Sequence, residues 1–261
     1  MGESVACPEI VVSREGGILE ISIRRPDRRN ALTHPMYHAM TAALAEADAD
    51  PAVRVALITG TEDCFTAGND MVEFLQNPPK GNDSPVMRFL DQILMQEKPI
   101  VAAVNGPAVG IGTTMLLHCD LVYCARGARL QMPFVSLGLC PEAGASYLLP
   151  QIMGHPRAAQ LLMLAETFTG EQAVEYGLAN AVYDDDEYLQ KAREACARLA
   201  AQPPASVRMT KAFLRQPQRD AVAKQMRTEG DAFLARLGAP EAREAMTAFM
   251  EKRKPDFSRF E

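Results

Sequence analysis

Three segments of this 261-residue chain carry residue types and spacings from which a reaction could be built. The first is Asn105-Gly106-Pro107-Ala108-Val109-Gly110-Ile111-Gly112, which follows the apolar run Pro99-Ile100-Val101-Ala102-Ala103-Val104. A strand that passes through glycines into a helix leaves backbone N–H groups unpaired where the helix begins, and these favour an anion. The same glycines would also serve if they only let helix and sheet pack closely. No dinucleotide fingerprint is present, because Gly110-x-Gly112 lacks a third glycine and no acid lies about 20 positions onward. The second segment is Phe65-Thr66-Ala67-Gly68-Asn69-Asp70-Met71, again after a strand. Here Asp70 would cap the helix that follows and leave the N–H groups around Asn69 free. Two N–H groups from separate elements are what an oxyanion hole requires, although spacing alone does not bring them together. The third is Leu137-Gly138-Leu139-Cys140-Pro141-Glu142-Ala143-Gly144-Ala145-Ser146. Glu142 is a lone acid among apolar and small residues. It fits a first-turn glutamate favoured by the helix dipole. It also fits a carboxylate in an apolar pocket, raised in pKa and poised as a base.

Other candidates carry less. His34 and His38 have i, i+4 spacing but lack the glutamate of a zinc-protease helix, and no metal is expected. His118 beside Cys119 reads as a packed residue. No Gly-x-Ser-x-Gly and no Gly-Lys-Ser/Thr occurs, which removes an esterase elbow and a P-loop. Arg24, Arg25, Arg28 and Arg29 surround Pro26-Asp27, and Lys252-Arg253-Lys254 stands near the end; each is either solvated charge or a contact for phosphate. Six cysteines without a C-x-x-C pair read as free, buried thiols.

The elements that must position these residues alternate in type. Ile10–Val12 and Ile18–Ile23 read as strands, Pro35–Ala49 as a helix, and Val53–Thr59 as a strand ending at Gly60. Ser84–Gln96 is helical, with Pro85 in the first turn where its missing N–H costs nothing. Pro99–Val104 is a buried strand, Gly106–Leu117 a helix, and Leu121–Tyr123 a strand. This alternation predicts an α/β architecture with parallel strands. Helices then take over: Ala145–Met153, Pro156–Ala165, Thr169–Tyr176 with a Thr169-x-x-Gln172 capping box, Asp186–Ala201, Ala205–Leu214, Arg219–Leu237 and Pro240–Lys252. The chain is expected to divide into an α/β core, residues 1–201, and a helical tail, residues 202–261. The tail holds too few large apolar residues to fold alone and should pack on the core or on a neighbouring subunit. No apolar run reaches the roughly 18 residues of a membrane helix. Met1-Gly2-Glu3-Ser4 does not resemble a signal peptide, so a cytoplasmic protein is expected. A net charge of −6 disfavours nucleic acid as a partner.

Taken together and in order, these segments resemble the crotonase superfamily, the enoyl-CoA hydratases and isomerases. The resemblance rests on Arg25-Pro26…Asn30-Ala31-Leu32, Phe65–Asp70, Pro99–Gly106, Cys119-Asp120-Leu121, Thr169-Gly170-Glu171-Gln172-Ala173 and Tyr176-Gly177-Leu178-Ala179. It implies a spiral of ββα units with a helical C-terminal trimerisation region, and a homotrimer or homohexamer. It implies an acyl-CoA thioester as substrate, with CoA part of that substrate and no separate cofactor. The backbone N–H groups of Asn69 and Ile111 would hold the enolate oxygen. Arg28, Ala31, Ala67, Gly68, Asp70, Met71, Gly110 and Phe134 would line the CoA and acyl path. The two glutamates of a hydratase fall on Thr114 and Phe134, so neither is present. The chain is instead similar to the Δ3,Δ2-enoyl-CoA isomerase branch, whose single acid falls on Glu142; Asp70 and Glu73 are the outside candidates for another acid.

Overall fold

The computed structural model describes residues 7–260 except Glu62, Lys80 and Asn82. The chain opens with strands β1 (Ile10–Glu15) and β2 (Ile18–Ile23), then helix α1 (His34–Ala49), strand β3 (Val55–Thr59), and helices α2 (Met71–Gln76) and α3 (Pro85–Met95). Next come β4 (Ile100–Val104), β5 (Pro107–Val109), the single turn α4 (Ile111–Thr114), β6 (Leu121–Ala125) and β7 (Arg129–Gln131). The remainder is α5 (Ala145–Met153), α6 (His155–Met163), β8 (Phe168–Thr169), α7 (Gly170–Glu175), β9 (Ala181–Tyr183), α8 (Tyr188–Ala200), α9 (Pro204–Leu237) and α10 (Pro240–Met250).

Six strands form one sheet in the order β1-β2-β3-β4-β6-β9, and three form a second in the order β5-β7-β8. Only β1 runs antiparallel in the larger sheet. From β4 to β9 the chain passes back and forth between the two sheets, which is the spiral that the resemblance implies. The α/β expectation with parallel strands therefore holds. Strands β3 and β4 are buried throughout, and apolar but for Thr59, because both faces are covered. Val55, Leu57, Val101 and Ala103 pack against Ala192 and Cys196 of α8. Ala56, Ile58, Ile100, Ala102 and Val104 join the main core with Met36, Met40 and Leu44 of α1.

Caps set several helix starts where the sequence placed them. Ser84 Oγ accepts Met87 N–H, and Thr169 and Gln172 close the capping box. Two expectations are corrected. The helix expected over Gly106–Leu117 is strand β5, the turn α4 and a 3-10 turn over Met115–His118; three-residue strands carry too little pattern to register. The break expected between Leu214 and Arg219 is absent, and α9 runs 34 residues through Pro217. That proline removes one helical N–H and frees the carbonyl of Phe213, but both residues are exposed and water can satisfy it. Val222 and Met226 of α9 are buried within the main core cluster. The thiols of the described cysteines are free, and all but half-buried Cys140 are buried.

Candidate active site

Asn30 builds the loop that carries Asn69. It is fully buried in the left-handed region, φ 56°, where asparagine is tolerated. Its Nδ2 donates to Cys64 O at 2.7 Å and its Oδ1 accepts Arg25 N–H at 2.7 Å. Thr66 Oγ1 donates to Asn30 O at 2.7 Å and accepts Gly68 N–H at 3.1 Å. Leu32 and Asn69 form a parallel bridge, in which Leu32 N–H donates to Gly68 O and Asp70 N–H to Leu32 O. That pattern turns the Asn69 N–H to the opposite side. No acceptor is paired with it among the described residues.

A second bridge, Thr66 with Ala108, ties this loop to β5. The approach is close: a Cβ on Gly68 (φ 87°) would stand 2.7 Å from Val109 O, and one on Gly112 would stand 2.6 Å from Thr66 Cγ2. Only glycine fits at either position. Gly110, φ 57°, then turns the chain into α4, whose first residue is Ile111. An N–H at the first helical position has no intrahelical acceptor, and Ile111 N–H is paired with none among the described residues. The structure thus brings together the two segments that carry the Asn69 and Ile111 donors.

Asp70 Oδ1 accepts Val72 and Glu73 N–H and caps α2, while its Oδ2 takes a 2.7 Å bond from Arg25 Nη1. Partial burial raises its carboxyl, but the Arg25 bond and the Val72 and Glu73 N–H groups outweigh it and hold the group below the usual range. Glu73 Oε2 accepts His34 N–H at 2.9 Å and closes the start of α1. Arg25 donates to Asp70 and to Ala31 O. Arg24, Arg28 and Arg29 are exposed.

Glu142 differs from these. With Asn69 it lines an apolar cavity walled by Phe74, Val86, Met87, Leu90 and Phe233. The residue keeps some exposure, yet Oε2 is buried without a hydrogen-bond partner and Oε1 takes a short bond from Thr114 Oγ1. Burial pushes its carboxyl up to about 8 from an ordinary 4.5, and the charge of Glu229 adds to the rise, while the Thr114 bond works against it. No second carboxylate lines the cavity among the described residues. Phe134 is buried outside the lining, edge-on to Phe233 at 6.5 Å. Ala31, Ala67, Met71 and Gly110 lie half-buried along the same loops.

Sequence reasoning missed three participants. Tyr37, fully buried, donates to Asn69 Oδ1 at 2.6 Å. Thr114 was read only as a missing glutamate, and it is the partner of Glu142. Glu229 arrives from α9 and carried no local signal. His118, expected to be packed, is buried with Nε2 2.8 Å from Ala143 O.

The spiral of two sheets and the paired glycine turns beside a buried acid define the crotonase fold, a class that acts on acyl-CoA thioesters. The family model for enoyl-CoA hydratase/isomerase matches residues 13–259, and the chain belongs to that family. It is similar to human enoyl-CoA delta isomerase 2, 31% identical over 258 residues that cover 96% of this chain and 65% of that protein. This chain therefore spans just under two thirds of the human protein. It is equally similar to 2,3-dehydroadipyl-CoA hydratase of Escherichia coli strain K12, 31% identical over 95% of this chain and 98% of the relative. Among solved structures, OdaA of Pseudomonas aeruginosa is 51% identical with a TM-score of 0.91, covering 94% of this chain and 99% of that one. Isomerases and hydratases thus stand side by side among the relatives. No helix among the described residues is long and apolar enough to cross a membrane.

Proposed function

We propose that the protein is an acyl-CoA isomerase that shifts the double bond of a 3-enoyl-CoA to give the trans-2-enoyl-CoA. One observation carries this reading: among the described residues a single carboxyl, Glu142, lines the cavity beside Asn69, and the resemblance to hydratases puts Thr114 and Phe134 at the positions of their two glutamates. Neither threonine nor phenylalanine activates water near neutral pH. A 1,3-proton shift needs only one base. Glu142 takes a proton from C2 of the thioester, negative charge moves to the thioester oxygen, and the same carboxyl returns the proton at C4.

Each step has its support in this chain. The Asn69 and Ile111 N–H groups are the donors for the enolate oxygen, each worth about 3 kcal/mol of barrier. A carboxyl that titrates at about 8 is a far stronger base than an ordinary glutamate, although only about a tenth of it is ionised at pH 7. Phe74, Leu90 and Phe233 surround the reacting carbons with apolar surface and keep out competing water. Arg24, Arg28 and Arg29 are exposed, and in this reading the CoA phosphates are their partners. No cofactor is required for this chemistry. A homotrimer or homohexamer is part of the same reading, supported by exposed Met163, Leu164, Phe213 and Leu214, each at least 65% exposed in the single chain.

The test is turnover of a 3-enoyl-CoA by the wild type and by Glu142→Gln. Loss of at least about 1,000-fold in kcat with little change in KM is expected of a base that acts only in the chemical step. Full turnover by the variant would remove Glu142 from that role.

A further inference from the structure

The turn Glu142-Ala143-Gly144 is held from outside. Ala143 and Gly144 both lie in the left-handed region, φ 61° and 72°, where the Cβ of Ala143 crowds the following carbonyl. Two side chains from distant elements grip this turn. The His118 ring, driven down to about 4 by burial, is neutral and donates Nε2–H to Ala143 O. Glu229, 85 positions along the chain on α9, accepts Gly144 N–H at 2.6 Å and Ser146 N–H at 2.9 Å, and the Ser146 hydroxyl as well. Gln225 Nε2 steadies that hydroxyl oxygen at 2.9 Å. Glu229 is only 5% exposed, lines no part of the cavity, and has no ion pair among the described residues. Every bond its carboxyl makes is an acceptance, which suits the ionised form, and the N-terminal N–H groups of α5 compensate its charge.

We infer that Glu229 is a positioning residue: its carboxylate clamps the turn that carries Glu142 and presents a negative charge to it when ionised. This rests on Glu142 being the base. The other groups around Glu142 leave that role to Glu229. Thr114 of α4 donates to Glu142 and carries no charge. Tyr37 of α1 and Cys140 are pushed up by burial and stay neutral near pH 7, as does His118. Glu73 of α2 is held by His34 N–H and, with Glu142, raises Tyr37. Arg236 of α9 is paired with Glu241 and donates to Gly138 O. Burial also raises Glu229 against its hydrogen bonds, and the Glu229 charge in turn raises Glu142.

The experiment compares pH profiles of kcat and KM for wild type, Glu229→Gln and Glu229→Asp on a 3-enoyl-CoA, with circular dichroism as the check on folding. Glu229→Gln is expected to lower kcat about 10- to 100-fold with KM within about 3-fold, and to move the acid limb about one pH unit toward acid. Glu229→Asp keeps the charge, so its kcat falls while the limb stays in place. Both variants losing kcat with the limb unmoved would overturn the inference and leave Glu229 a purely structural residue. If Glu229→Gln does not fold, a carboxyl carbon-13 NMR titration of the wild type decides the matter. Two inflections in the Glu142 resonance, one shared with Glu229, are expected; a single, independent inflection overturns the inference. This titration needs no turnover, so it separates failure here from failure of Glu142 as the base.

Discussion

Burying Glu142 costs stability wherever it must ionise, and that cost can be measured without a substrate. In the folded chain the carboxyl titrates at about 8; in the unfolded chain its ordinary value of 4.5 applies. Between those values the folded state holds a proton that the unfolded state releases, so stability falls as pH rises from about 4.5 through 8. The slope is at most about 1.4 kcal/mol per pH unit, and over the whole interval the loss reaches about 5 kcal/mol as an upper bound. Glu142→Gln has nearly the same shape and never ionises. It should match the wild type near pH 5 and exceed it by about 2–5 kcal/mol at pH 8.5. The chain has no Trp, so urea unfolding is best followed by circular dichroism at several pH values from 5 to 8.5. His118 adds its own dependence mainly below its unfolded value of 6.5, and because both proteins share it, it cancels in the difference. Parallel stability curves for the two proteins across this range would refute the claim that Glu142 is desolvated.

Two further outcomes follow from the geometry. Gly68→Ala places a Cβ 2.7 Å from Val109 O at φ 87°, so it should lower kcat by about 100-fold through the oxyanion donors and reduce the melting temperature by several degrees; unchanged kinetics would show that the two segments need not meet closely. Asp70→Asn keeps a good helix cap but loses the ion pair with half-buried Arg25, so about 1 kcal/mol of stability should go while kcat stays within about 10-fold; a loss as large as that of Glu142→Gln would make Asp70 the base.

Much of the fold was legible because its signals are local. Ser84 and Thr169 announce helix starts, and the apolar runs at 55–58 and 100–104 announce strands buried on both faces. The small sheet was not legible, since β5, β7 and β8 have two or three residues each and acquire meaning only through pairing. Pro217 misled for the opposite reason: its local cost is real, but an exposed helix face absorbs it. At the site, Gly68 and Glu142 could be singled out by type and setting. Thr114 and Tyr37 could not, because a threonine or tyrosine in an apolar helix gives no sign of the oxygen it meets. Glu229 depends on α9 folding back across the N-terminus of α5, a contact spanning 83 to 85 positions that no spacing rule encodes.

The most direct test of a single-base isomerase is the product formed from a 3-enoyl-CoA in water enriched in oxygen-18. The account predicts the trans-2-enoyl-CoA as the product, without label, in the wild type and no turnover in Glu142→Gln. Rapid conversion of the trans-2-enoyl-CoA, supplied directly in the same water, to a 3-hydroxyacyl-CoA carrying oxygen-18 would contradict it, and would mean that this site activates water after all.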